Sequence, residues 1–438
     1  MKKLLSIFAA TALTTTSTLS VVACGTKRDP DVWIVTDTGK VNDKSFNQSA
    51  FNSANTFLQT DLKRDVKASV QEPKTPSELE NAYLTSRKNG GKAVLLPGYQ
   101  HATHIEKASE TYAEGDTPGT VIFLDGSSKT ETKQLENVVG VLFKAEISGF
   151  YAGVASILYN FEIGNWNPVI TGYGGGEHSP FATSNALAGY FASVVFMNDL
   201  IADAPNDNKL LTDLLAIIGK DKTELPSNAK VKFAKNQQLD TTATMKDSDF
   251  FTKTFAVGDG TPLSTSLVVD SGADVVFPFA GPQTEDTLKV IKDRKSKALV
   301  IGADVDQTNL YGNYKDKFIT SALKDLEGAG RAALVHSKAF ESEKVTVGED
   351  VVKGTNQQGE EITGKWDGQD VWFGGKIATG QHNKFSKEKA EKLMDLLEKP
   401  GEELSKVYQA GTSLKEFSYV FSKDFIQRLA TAATGLSK

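Results

Sequence analysis

The 438-residue chain carries 49 Lys and Arg against 55 Asp and Glu, a formal charge of −6, and has no strongly basic stretch, which argues against a nucleic-acid partner. A hydrophobic content of 39% is enough for real cores, and the length exceeds one ordinary domain, so two lobes are expected. The single cysteine, Cys24, excludes a disulfide framework.

Residues 1–24 open with Lys2 and Lys3, run through an apolar, Thr-rich stretch and reach Cys24 through small residues. That is a signal peptide in outline. With Val21-Val22-Ala23 ahead of the cysteine, it resembles a bacterial lipoprotein signal. The expectation is a signal peptide over 1–23, a lipid such as palmitate on the Cys24 thiol, and a tether over 24–30. A structural Cys behind an uncleaved leader is the plainer alternative. No later stretch reaches the ~18 uncharged apolar residues of a membrane span. A soluble body on a lipid leash is therefore expected, each buried acyl methylene contributing about 0.8 kcal/mol.

The folded part begins with "DVWIVTD", read as a strand, and "SFNQSAFNSANTFLQTDL", read as a helix with Phe46, Phe51 and Phe57 among its apolar positions. "ASVQE" is a strand and "TPSELENAYLTSRKNG" a helix, with Thr75 as N-cap, Pro76 at its first position and Gly90 as its stop. "KAVLLPGY", "GTVIFLDG" and "NVVGVLF" are short continuous apolar runs, as buried parallel strands are. The pattern restarts at "NPVITGYGGG" (strand), "SNALAGYFASVVFMNDLIA" (helix), "AKVKFAK" and "TSLVVDSGADVVFPFAG" (strand), "EDTLKVIKDRKS" (helix) and "KALVIGADVD" (strand). Such alternation implies βαβ units in doubly wound parallel sheets.

The two halves echo one another. Asp125 and Asp304 occupy matching strand ends, and Lys144 matches Lys324, with glycines a few residues on. Residues 201–262 are polar and read as an insertion of helix and long loops. Residues 341–370 read as an exposed, charged excursion. "DVWFGGKIATG" returns as a strand or hairpin, and "SKEKAEKLMDLLEKPG" and "SLKEFSYVFSKDFIQRLATAATG" as helices.

In open parallel α/β sheets ligands bind beyond the carboxyl ends of the strands. That rule selects "TDTGKVNDKSFNQ", "LPGYQH", "LDGSS", "PFAGPQT" and "GADVDQ", with Lys324 after one more strand. Their chemistry is recognition rather than turnover. Asp accepts bonds from vicinal hydroxyls, Lys donates three, Asn and Gln read mixed edges, and Phe offers a flat apolar face. Asp304 with Lys324 suits a ribose; Phe46 with Asn47 suits a heteroaromatic base. The ordinary readings are a turn or cap carboxylate for Asp37, helix packing for Phe46 and a solvated lysine for Lys324. "GYGGGEH" matches no phosphate-binding pattern and reads as a flexible turn at a cleft edge. His101 and His104 follow a strand but lack metal-ligand company and read as solvated loop residues. No Ser elbow occurs, and Asp43 with Lys44 marks no nucleophile. No catalytic residue, metal or cofactor is expected.

"VTDTGKVNDKSFNQ", "VGVLFKAEISGFYAGVAS", "PVITGYGGGEHSP", "GADVVFPFAG", "VIGADVDQ", "FITSALKDLEGA" and "VWFGGKIATG" occur in order. With them the chain, over roughly 31–380, resembles the basic membrane protein family, purine-nucleoside-binding lipoproteins of bacterial ABC importers. The resemblance implies a type I periplasmic-binding-protein fold, two Rossmann-like lobes joined by a hinge. Residues 31–145 and about 308–345 would form the N-terminal lobe, and 146–307 and about 366–435 the C-terminal lobe. It further implies that Phe46 stacks on the base, with Asp37, Asn47 and Gln48 around it. Asp125 and the backbone at Gly281 would line the pocket, and Asp304 and Lys324 would hold the ribose hydroxyls. Family members often carry an aromatic where this chain has Ala186, three residues before Gly189-Tyr190; Phe181 and Phe279 are the candidates to replace it. The implied partners are a purine nucleoside, a membrane permease and the bilayer through acylated Cys24. The implied state is a monomer on the extracytoplasmic face. The alternatives are a sugar receptor of the same architecture, a surface nucleoside hydrolase, or an adhesin.

Overall fold

The computed structural model describes residues 31–37, 39–43, 45–239 and 246–436. The expected signal peptide, the tether with Cys24, and Lys44 lie outside the described residues. One six-stranded sheet holds β1 (Val32–Val35), β2 (Ser69–Gln71), β3 (Ala93–Pro97), β4 (Thr120–Leu124), β5 (Val138–Phe143) and β11 (Gln369–Phe373). Its order is β11-β5-β4-β3-β1-β2, parallel throughout. The other six-stranded sheet holds β6 (Val169–Gly174), β7 (Lys232–Phe233), β8 (Val275–Phe279), β9 (Leu299–Asp304), β10 (Phe318–Leu323) and β12 (Lys376–Ile377). Its order is β12-β10-β9-β8-β6-β7, with β12 alone antiparallel.

The strands of the first sheet are continuous apolar runs because helices cover both faces. β1, β3, β4 and β5 are buried along their whole length. Helices Phe46–Thr56 and Leu326–Val335 close one face, and Leu79–Lys88 and Ile105–Ala113 the other. The second sheet is built likewise. The pair Ala145–Glu162 and Ser184–Ala202 packs on one side of it, joined by helices Lys387–Gln409 and Lys423–Thr434. Among the described residues Ser184–Ala202 is long and apolar enough to cross a membrane, but 72% of it is buried in this core.

Among the described residues the chain passes between the lobes three times. After β5 it enters helix Ala145–Glu162 of the second lobe; after β10 it enters helix Leu326–Val335 of the first; after β11 it runs through Gly374-Gly375 into β12. The passages touch: Lys144 N–H donates to the Phe373 carbonyl at 2.9 Å. A Cβ on Gly375 would collide with the backbone of Ser148, so the third passage needs glycine to lie against the first.

These passages fall elsewhere than the sequence suggested. Residues from about 308 were expected in the first lobe, yet β10 pairs with β9, and the exchange comes only after Leu323. Residues from about 366 were expected in the second lobe, yet β11 pairs with β5. "DVWFGGKIATG" is no hairpin, since β11 and β12 join different sheets. "TSLVVD" was read as strand but lies in the helical segment Thr261–Asp270, which Pro262 opens; only Val275–Phe279 is strand. The excursion at 341–370 folds back onto the first lobe. Trp366 is buried there, with the His336 ring stacked on it at 4.3 Å.

That excursion is tied down by Arg331, which donates twice to buried Asp61, both at 2.9 Å, and also pairs with exposed Asp350. Arg331→Met strands the Asp61 carboxylate and is expected to lower unfolding stability by about 3–5 kcal/mol, measured by urea denaturation. Asp350→Ala is expected to leave the midpoint nearly where it is.

Candidate functional site

The carboxyl ends of the two sheets face each other across a cleft of about 800 Å³. Of the residues singled out in the sequence, Asp37, Phe46, Asn47 and Asp125 line it from the first lobe and Phe279, Gly281, Asp304 and Lys324 from the second. Gln48 and Phe181 do not line it. Gln48 turns along its helix to donate to Asn52 Oδ1 at 3.1 Å. Phe181 packs edge-on against Trp372 and Tyr408.

The first-lobe wall is built on the start of helix Phe46–Thr56. Asp43 caps it, accepting from the N–H groups of Ser45, Asn47 and Gln48 at 2.8, 3.1 and 3.0 Å. Its role is structural. The Asn47 amide also donates to Asp43 at 2.9 Å and toward Asp37 at 3.4 Å. Two carboxylates thus fix the amide's orientation, and among the described residues no donor reaches its buried Oδ1. Asp37 follows β1; burial raises its pKa, opposed by the bonds from Asn47 and Gly39. Gly98, with φ at 100°, brings the end of β3 so close that a Cβ there would stand 2.9 Å from Asp37 Oδ2.

Across the cleft, Lys324 Nζ donates to both Asp125 oxygens at 3.0 and 2.9 Å and stands 3.6 Å from Asp304 Oδ1. Its side chain is 2% exposed, so the reading of a solvated lysine is corrected. Burial alone would lower its pKa, but Asp125 and Asp304 together raise it. Asp304 is pushed up to about 6 by burial, with the like charge of Asp125 adding and Lys324 opposing. Its Oδ1 accepts no hydrogen bond among the described residues. Asp125 and Asp304, which the echo between the halves set at matching strand ends, both adopt left-handed backbone, φ 72° and 64°. The rings of Phe46 and Phe279, from opposite lobes, flank the same ammonium at 5.4 and 5.2 Å. Ala186 is buried where helix Ser184–Ala202 crosses Gly149 at backbone contact and does not line the cleft; of the two rings offered in its place, Phe279 does.

Several lining residues were not singled out in the sequence, Gln307 and Tyr99 among them although each lies in a selected stretch. Gln307 is buried with Oε1 unpartnered among the described residues. Tyr99 lies within "LPGYQH" but was not singled out. Lys253, Thr254, Phe255 and Ala256 come from the end of the polar insertion. That segment is a strap seated on the glycine turn: Gly176 N–H donates to the Thr254 carbonyl at 2.9 Å, and Gln283 Nε2 donates to the carbonyls of Thr254 and Ala256. A Cβ on Gly174 or Gly175 would stand 2.6 Å from the ring of Phe251 or Phe255 respectively. "GYGGG" is therefore a packing surface, not a free turn. His101 is buried rather than solvated. Its Nδ1 lies 2.7 Å from the Tyr83 hydroxyl, and burial drops its pKa to about 3, so it is neutral.

Residues 254–408 match the family model described as ABC transporter substrate-binding protein PnrA-like. The chain is 22% identical over 358 residues to an uncharacterized lipoprotein, the MG040 homolog of Mycoplasma pneumoniae. That match covers 66% of this chain and 53% of the relative, so the chain spans about half the length of that curated protein. The fold is similar to the crystal structure of an ABC transporter system solute-binding protein from Aeropyrum pernix, with a TM-score of 0.52 and 16% identity, covering 86% of this chain and 90% of that one. The architecture is that of type I periplasmic-binding proteins.

Proposed function

We propose that the chain is a substrate-binding protein of the PnrA-like family whose model residues 254–408 match, and that its cleft captures a purine nucleoside and hands it to a membrane permease. The base stacks on Phe46, with Asn47 and Asp37 at its edge and Phe279 on the facing lobe. Asp125, Asp304 and Lys324 hold the ribose. The protein works as a monomer on the extracytoplasmic face, held by acylated Cys24, and needs no cofactor.

The observation that supports this most is a pair of buried acceptors on opposite walls that accept no hydrogen bond among the described residues, Asn47 Oδ1 and Asp304 Oδ1, the second with only the Lys324 ammonium near it at 3.6 Å. Each calls for a donor from the ligand, a ring N–H for one and a hydroxyl for the other. A buried acceptor left unmet costs about 1–3 kcal/mol, and stacking a base on an aromatic ring contributes ~1–3 kcal/mol. A ligand with both a base and a sugar satisfies all of these groups at once. The Asp125–Lys324–Asp304 cluster would also suit a free sugar, but a sugar leaves Asn47 without a flat partner beside it.

Saturating inosine is expected to raise the thermal midpoint by several degrees, since ligand at a hundredfold over Kd adds about 2.7 kcal/mol. Hypoxanthine, ribose and galactose should bind far more weakly. A sugar that outcompetes inosine would establish the sugar receptor instead. Release of hypoxanthine from inosine would establish a hydrolase, and no response to any nucleoside at millimolar concentration would end the proposal.

The raised Asp304 pKa adds a pH dependence. The ionised form is the one that accepts the ribose bonds, so affinity should fall as pH drops through about 6. The loss expected by calorimetry between pH 7 and 5 is about tenfold. Without ligand the sign reverses: a folded-state pKa above the unfolded one adds stability as pH falls from about 6 toward 4, and that contribution is lost as pH rises again.

A further inference from the structure

From the end of the second lobe that lies away from the cleft, we infer that the chain makes a second, electrostatic contact with the bilayer, through a basic edge with an apolar tip that rests on anionic lipid headgroups. This rests on the acylated anchor proposed above and deepens it. The amino ends of the second sheet's strands point away from the cleft, and Arg294, Lys295, Lys297, Lys315, Lys317 and Lys384 gather there from three segments of the chain. Lys297 and Lys317 precede the neighbouring parallel strands β9 and β10. Lys384 N–H donates to the carbonyl of Phe318, the first residue of β10, at 3.1 Å. Side chains join the segments further: Lys292 Nζ stands 5.7 Å over the Tyr314 ring, and Lys384 Nζ 6.0 Å over the Tyr159 ring. Ile163, whose N–H donates to the Tyr159 carbonyl at 3.3 Å, ends the row with 61% of its surface exposed.

In a chain of net charge −6 such an edge is an asymmetry. Among the described residues none of its cations is held in an ion pair, and the acids within the same turns are Asp293 and Asp316. Other acids at this end are engaged: Glu285 with Lys289 at 2.8 Å, Glu162 with Lys389 at 2.6 Å, and Asp274 with the Val169 N–H at 2.8 Å. At the amino end of the first sheet, by contrast, Arg64 and Lys92 both pair with Asp31 and Glu343. The end of helix Thr284–Asp293 accounts for Arg294 and Lys295, since cations are favoured there. It does not account for Lys297 and Lys317 ahead of strands, nor for Lys384 ahead of the N-terminus of helix Lys387–Gln409, where a cation is disfavoured. The leash supplies the partner. Residues 24–30 reach at most about 25 Å when extended, so an anchored body stays beside the bilayer and a weak attraction acts at high effective concentration. A polybasic patch is the common second signal beside a lipid chain. A nucleic acid would match the charge but not the bare Ile163, which suits the boundary beneath the headgroups. Held at both ends, the molecule lies along the membrane.

The acylated chain carrying Ile163→Cys is labelled with an environment-sensitive dye and placed in vesicles of phosphatidylcholine alone, or of phosphatidylcholine and phosphatidylglycerol at about three to one, each with brominated lipid as quencher. Quenching is expected to be about threefold greater on the anionic vesicles and to fall by about half or more between about 0.05 and 0.5 M salt. A dye at Val257→Cys, at the cleft end of the same lobe, should show no such dependence. Arg294→Glu, Lys297→Glu and Lys315→Glu together should abolish the difference between the two lipids, and glutamine at the same three positions should leave part of it. Inosine affinity and the thermal midpoint should be those of the parent in both variants, which checks folding. Equal quenching on the two lipids, quenching indifferent to salt, or the same response at residue 257 would overturn the inference, as would tight binding of a polynucleotide at about 0.15 M salt with no quenching by lipid. A Cys24 thiol that takes up the dye is not acylated, and then the anchor fails at the earlier step instead.

Discussion

Lys324→Met is expected to lower the unfolding free energy by about 3–5 kcal/mol at pH 7.5, the largest effect on stability of any single change in the cleft. Among the described residues the lysine is the cation that reaches two buried carboxylates from different lobes, at 2.9 Å from Asp125 and 3.6 Å from Asp304. Methionine fills the same space but leaves both acids in a low-dielectric site with only each other. They respond by holding their protons. The deficit should therefore be greatest at neutral and alkaline pH and shrink as pH falls below the raised folded-state pKa values of the two acids toward the unfolded value of about 3.9. Urea denaturation at pH 7.5 and pH 5 checks this. Equal midpoints for parent and variant at pH 7.5 would mean that the ammonium contributes nothing net to the folded state.

Asp304→Asn addresses binding without that loss. Asparagine tolerates the left-handed backbone at this position, φ 64°. The substitution keeps the side-chain volume and removes only the charge, so the unliganded protein is expected to be no less stable than the parent. Its amide offers one acceptor in place of two and can turn a donor toward the ribose hydroxyls. Charge-assisted bonds contribute about 1.5–3 kcal/mol, so inosine affinity is expected to fall about 10- to 100-fold. Free hypoxanthine, which has no hydroxyls to present, should lose little. The pH dependence of inosine binding between 7 and 5 should flatten in the same variant. If hypoxanthine and inosine weaken in parallel, Asp304 does not face the sugar.

Much of this site was legible because strand ends are easy to find. Asp125 and Asp304 each close a continuous apolar run, and β-strand geometry then carries them to the same sheet edge without further information. Lys324 was findable for the same reason, although its burial was not; nothing local distinguishes a lysine that will meet two carboxylates from one that will meet water. Phe181 and Gln48 failed on direction. Both lie near the cleft in sequence terms, but one packs under Trp372 and the other turns along its helix. The strap at 250–256 was invisible because its position comes from hydrogen bonds to residues far away in the chain, Gly174 and Gln283, and from glycines whose purpose appears only once Phe251 and Phe255 lie on them. The exchange of β10 and β11 between lobes was misplaced for a related reason. A buried strand reads the same whichever sheet accepts it, and the handoff happens in two or three loop residues.

The triple passage between lobes has a consequence for how the chain comes to be folded. The first lobe's core includes Leu326, Trp366, Val371 and Phe373, and the second lobe's reaches Leu429 and Ala433. A chain emerging from its N-terminus therefore shows every early strand of the first sheet while the helix and outer strand that seal it are still to come. Neither half can reach its final form as an autonomous early product, so the nascent protein should remain loose and protease-sensitive until nearly its whole length is out. Truncation after residue 310 should then yield no independently stable fragment.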